Sequence, residues 1–121
     1  MKIFGKFAAI LSLGLATMSA PAMAHHSFAM FDQNKIVELK DATVVEFRWG
    51  NPHVFILLQS GGKRYAVECS SPSALSSTGW KFNSVKVGDK ISVTIFPLRD
   101  GRPGGALNVA TLANGQKLGG T

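Results

Sequence analysis

Residues 36–49 alternate in hydropathy with a period of two, and that alternation limits the fold more than any other feature of the chain. Val37, Leu39, Thr43, Val45, Phe47 and Trp49 fall on one face; Glu38, Lys40, Glu46 and Arg48 fall on the other. Neighbouring side chains of a strand point to opposite sides, so the segment reads as a half-buried strand. Asp41 interrupts the apolar face and marks a bulge or a break. The strand is closed by Trp49-Gly50-Asn51-Pro52.

The next segments continue in the same idiom. Residues 53–59 are apolar on both faces, as in a central strand, and Gly61-Gly62 is a hairpin signal. Residues 63–69 return as a strand with Tyr65, Val67 and Cys69 on one side. Ser71-Pro72 then sets a capping hydroxyl before a proline at the first helical position, and Gly79 can end the short helix. A turn over 85–89 feeds a strand over 90–96. A loop over 97–105 carries Arg99, Asp100 and Arg102, and residues 107–112 form the last strand before the Asn114-Gly115 turn. Three strands, a helix and two strands is the order of a small OB-fold-like Greek-key barrel. An open β-sandwich has the same strand count and is the alternative. OB barrels bind on their second and third strands and in the loops after strands one and four. That rule puts Trp49, Asn51 and His53 at one end of the barrel with Arg99 and Arg102, while Trp80 sits at the end of an element.

The N-terminus has a different character. Lys2 and Lys6, an apolar run over 7–18 and Ala22-Met23-Ala24 follow the layout of a secretory signal peptide. Removing residues 1–24 from the 121-residue chain leaves one domain, 25–121, and takes the net charge from +6 to +4. The expected location is the periplasm, with no later stretch approaching the ~20 apolar residues of a membrane-spanning helix. Export also undercuts a nucleic-acid reading of a pI near 9.8, because no Lys/Arg cluster accompanies it. One cysteine excludes an internal disulfide and thioredoxin-like chemistry.

The strings His25-His26-Ser27-Phe28 and Phe47-Arg48-Trp49-Gly50-Asn51-Pro52-His53-Val54 add a further reading. With Ser71-Pro72-Ser73-Ala74-Leu75, Gly79-Trp80 and Val87-Gly88-Asp89, the chain resembles a family of exported Gram-negative bacterial proteins described as a domain of unknown function. The sequence departs from that pattern at Cys69-Ser70 and at Phe55. The resemblance implies a periplasmic barrel of undetermined activity and supplies no catalytic residues.

The histidines carry the sharpest chemistry. Cleavage after Ala24 would make His25 the first residue, so that its α-amine and imidazole chelate one metal ion. His53, or His26 locally, would add a second imidazole, and such nitrogen ligands suit copper(II). Cleavage after Ala22 would instead place histidine third, a square-planar site for copper or nickel. The competing reading leaves two histidines on a terminus and His53 bonded to a backbone carbonyl. Trp49, Asn51, Trp80, Arg99 and Arg102 are the candidate residues for another ligand or for a protein partner in the envelope. A copper-dependent redox enzyme would need an open coordination position and a substrate groove, neither legible in the residues. No G-x-S-x-G elbow, phosphate-cradling loop or H-E-x-x-H is present, and the seven acids are dispersed, which argues against a conventional hydrolase.

Overall fold

The structure is a computed structural model that describes residues 28–120. The expected signal peptide and the pair His25-His26 lie outside the described residues. Six strands and one short α-helix follow a single 3-10 turn at Phe28–Met30. They are β1 (Val37–Arg48), β2 (Phe55–Ser60), β3 (Lys63–Glu68), α1 (Pro72–Ser77), β4 (Lys90–Pro97), β5 (Gly104–Thr111) and β6 (Lys117–Gly119).

β1 is long enough to serve two partners. Its first part pairs antiparallel with β4, from Val37↔Ile95 to Thr43↔Lys90, and its second part with β2, from Thr43↔Gln59 to Arg48↔Phe55. β2 and β3 form the hairpin expected at Gly61-Gly62, whose φ values of 54° and 78° are costly for any side-chain-bearing residue. β3 then pairs in parallel with β5 at Ala66↔Gly104, and β5 pairs with β4. The circuit β1-β2-β3-β5-β4-β1 is a closed five-stranded barrel with α1 between β3 and β4. Closure excludes the open sandwich.

The seam depends on small residues. A Cβ on Gly105 would lie 2.2 Å from the Phe96 carbonyl oxygen, and one on Gly104 would lie 2.5 Å from that of Ala66. These two positions let three backbones approach where the barrel shuts.

Two bulges correct the expected face of β1. Asp41 adopts φ 48°, and the pairing with β4 shifts between Leu39 and Ala42. One extra residue flips every side chain that follows, so Ala42 and Val44 are buried in place of Thr43 and Val45. A second shift, between Val44 and Glu46, flips the strand back. Phe47 and Trp49 therefore pack against the core, as the alternation implied.

Ile56, Leu58, Val67, Ile91, Val93 and Ile95 fill the barrel with fully buried side chains. The helix adds Leu75, and its start is as expected: Pro72 opens it, and Ser71 Oγ accepts the Ala74 N–H at 3.2 Å. β6 was not legible. Its run after the Asn114-Gly115 turn is too short to show alternation, and only Leu118 is buried. It occupies the edge that β5 leaves open once β3 has turned away, pairing at Val109↔Gly119 and Thr111↔Lys117. None of the helices among the described residues is long and apolar enough to cross a membrane.

Candidate functional site

His53 stands at the exit of the loop between β1 and β2, just after the cis Asn51–Pro52 peptide. The β2–β3 ladder runs past the formal strand ends beneath it. Val54 N–H donates to Ser70 O at 3.0 Å, and Cys69 N–H donates to Val54 O at 2.8 Å. The strand alternation that buries Val54 and Ile56 turns His53 and Phe55 to the outside. There His53 Nδ1 meets the carboxylate of Glu68, the partner of Phe55 in the ladder. The His53 side chain is 35% exposed and that of Glu68 13%.

The N-terminal segment covers the same place. Asp32 N–H donates to Pro97 O at 2.8 Å, Phe31 bridges to Leu98, and Arg99 N–H donates to Met30 O at 3.0 Å. Arg99 Nε adds a bond to Ala29 O at 3.0 Å. This strap brings Phe28 and Phe31, with rings edge to face at 6.4 Å, over His53, Glu68, Cys69 and Ala106. Together they line a cavity of about 70 Å³.

Cys69 opens onto that cavity but belongs to the core. It is 5% exposed, and burial, with a smaller contribution from the Glu68 charge, pushes its thiol up to about 12. A thiol held protonated is a poor nucleophile and a poor metal ligand. Its place on the inner face agrees with the strand side it was expected to share with Tyr65 and Val67.

The other expected site residues do not converge on His53. Trp49 lines a separate open groove of about 430 Å³ with Lys81 and the exposed Phe82. Trp80, expected to meet a ligand from the end of an element, is 1% exposed; its indole N–H donates to Gly119 O at 2.7 Å, and it helps line that groove. The reason is β6, which supplies the acceptor and covers the ring. Arg102 lines a third cavity with Lys63 and Tyr65, and its Nε is bound to Asp100 at 2.7 Å. Asp100 is held below its ordinary value by the Arg102 backbone N–H first and its guanidinium second. Arg99 is engaged by the strap, and Asn51 is exposed in the turn. Of the other strand aromatics, Phe47 and Tyr65 pack on the core, whereas Phe55 lies on the outer face beside Glu46 and Arg48.

Glu68 escaped the reading of the sequence. The signal was present in the hairpin register: counting back from the two-residue turn pairs Ser60 with Lys63 and Phe55 with Glu68. The same count puts His53 diagonal to Glu68 on one face, within reach of long side chains. Among the described residues no group of three or more His, Cys, Asp or Glu side chains is placed to hold a metal ion. His53 and Glu68 are a pair, with the Glu68 carboxylate engaged by the imidazole.

Residues 12–108 match a protein family described as a family of unknown function (DUF6152), and the chain belongs to it. No curated protein and no solved structure matches the chain.

Proposed function

We propose, with membership of that family as the premise, that this barrel is a periplasmic metal-binding module that takes copper through His25, His26 and His53. The observation that supports the reading is the shared cavity: Phe28, the first described residue, lines the same small space as His53. Three residues of chain span at most about 10 Å, which sets the reach available to a terminus at His25 from Phe28. Cleavage after Ala24 would then offer an α-amine, the His25 imidazole and a second imidazole to one ion. The strap contributes by ordering the chain up to Phe28 before any metal arrives, which lowers the entropy cost of closing the site.

The test is the intact mass and metal content of protein exported with its own signal peptide. A chain beginning at His25 with about one copper per molecule is the expected result. One extra residue ahead of His25 should weaken uptake severely, because the amine no longer closes the chelate ring. Correctly cleaved protein that stays metal-free under equimolar copper overturns the proposal.

A second reading rests on the other side of the barrel. Phe82 is 71% exposed beside Trp49 and Lys81, an apolar surface suited to an envelope protein partner. Metal-free protein recovered with a stoichiometric partner would favour it.

A further inference from the structure

We propose that the loop over 80–89 is a docking surface for an anionic phospholipid bilayer, with Phe82 and Val87 entering the lipid and Lys81 and Lys86 meeting its phosphates. The surface uses none of the metal ligands considered above, and it gives Phe82 a lipid in place of a protein partner. The loop runs along an edge that the barrel leaves open. β4 accompanies β1 only as far as Thr43↔Lys90. Beyond that point Gly88 N–H donates to Val44 O at 2.8 Å, and Val44 N–H donates to Asp89 O at 2.9 Å. Trp80 ties down the other end of the loop, 6.2 Å from the Phe47 ring, and Val85 is buried between the two anchors.

The remaining residues make two turns of one design, one on each side of Val85. In the first, Lys81 N–H donates to Ser84 Oγ at 2.8 Å and Ser84 N–H returns a bond to Lys81 O at 3.0 Å. In the second, Lys86 N–H donates to Asp89 Oδ2 at 3.0 Å and Asp89 N–H returns a bond to Lys86 O at 3.0 Å. Each turn opens with a lysine and carries an apolar residue at its tip. Phe82 and Val87 are each 71% exposed, more than any other large hydrophobic residue described. The lysines spend only their backbone on the turns, and their ammonium groups enter no ion pair among the described residues. The nearby acids are occupied: Asp89 accepts from Lys86 N–H, and Glu46 is bound by Arg48 at 2.9 Å.

Charge and shape together favour lipid over protein. Lysine is depleted in protein interfaces, whereas an interfacial lipid contact combines apolar residues with lysines at headgroup level. Two single tips, at most about 17 Å apart along the chain, need no complementary pocket to enter a bilayer. Half-buried Trp49, in the groove beside Phe82, is of the residue type that favours this depth.

The experiment measures co-sedimentation of protein exported with its own signal peptide, using vesicles of phosphatidylglycerol and phosphatidylethanolamine. Phosphatidylcholine vesicles are the uncharged comparison. Wild type should partition onto the anionic vesicles, and less so as salt rises. Lys81→Ala and Lys86→Ala should each weaken partition ~5-fold. Phe82→Ser should weaken it ~10-fold, and adding Val87→Ser should weaken it further. All four side-chain changes are made on turns held by backbone bonds, and a thermal melt of each variant checks that it is folded. Lys35→Ala, beside Pro97 at the far end of β4 from Lys90, removes the same charge and should leave partition unchanged. Wild type that stays in the supernatant overturns the proposal, as does an equal loss in Lys35→Ala, which means diffuse attraction. Partition that Phe82→Ser with Val87→Ser does not weaken also overturns it. So does a solution dimer, or a stoichiometric protein complex, that Phe82→Ser dissolves while vesicle binding is unchanged.

Discussion

Replacing Trp80 with phenylalanine separates a core tryptophan from a ligand-binding one. The indole is 1% exposed, its N–H donates to Gly119 O at 2.7 Å, and its ring lies 6.2 Å from that of Phe47. Phenylalanine removes the donor and part of the ring volume. Losing one side of a buried hydrogen bond costs about 1–3 kcal/mol, because the carbonyl left behind loses its partner. The void adds to this, since a full Trp-to-Ala truncation in a core costs about 3–5 kcal/mol. Trp80→Phe should therefore cost about 2–3 kcal/mol, and Trp80→Ala should approach the top of that range or fail to fold. In a domain of this size the phenylalanine variant should melt lower by about 10–20 °C. Denaturant unfolding followed by circular dichroism measures it directly. Trp49→Phe is the control: Trp49 is half-buried, edge to face with Phe47 at 5.9 Å, and should cost only about 1 kcal/mol. If Trp80→Phe stays within about 0.5 kcal/mol of wild type, the bond from Trp80 to β6 does not hold the barrel, and the core reading of Trp80 is wrong.

The other stability predictions concern the thiol and the seam. Cys69 has its thiol pushed from an ordinary 9.0 up to about 12, so between these values the unfolded chain has lost a proton that the folded chain keeps. The unfolded state then binds fewer protons, and stability should fall as pH rises from 9 to 12, at up to about 1.4 kcal/mol per pH unit. Below pH 9 this contribution is constant. The measurement is alkaline unfolding of wild type against Cys69→Ala; a difference that stays flat across the window refutes the assignment. At the seam, Gly105→Ala would drive a methyl group to 2.2 Å from Phe96 O. It should destabilise by about 3 kcal/mol or more, as overpacking against backbone does. Gly50→Ala meets nothing within 4 Å and should stay within about 0.5 kcal/mol of wild type in the same denaturant series.

What could be read in advance was local. The alternation over 36–49, the Gly61-Gly62 turn and the Ser71-Pro72 cap each follow from a few adjacent residues, and each sits where it was expected. Together they give the order of the first five strands and the helix, and the β3–β5 pairing then settles the barrel over the open sandwich. His53 could be singled out because a lone histidine after Asn51-Pro52 is conspicuous in the chain. Its partner Glu68 was missed although the hairpin register counted back from Gly61-Gly62 holds the signal, because the contact appears only when β2 and β3 are set side by side. Trp80 was misplaced for a similar reason: its burial depends on Gly119, far along the chain, in a strand too short to announce itself.

The sequence by itself therefore determined the elements and their order, since period, turn chemistry and caps are properties of neighbouring residues. Tertiary structure decided which face of β1 is inside, because an extra residue at Asp41 reverses the side chains from Ala42 to Val44 and a second shift before Glu46 restores the original face. It also decided the seam at Gly104-Gly105, the added strand β6 and the meeting of His53 with Glu68 under Phe28. Each of these is a contact between segments distant along the chain. Their distances are fixed by barrel closure, and closure is a property of all the strands at once.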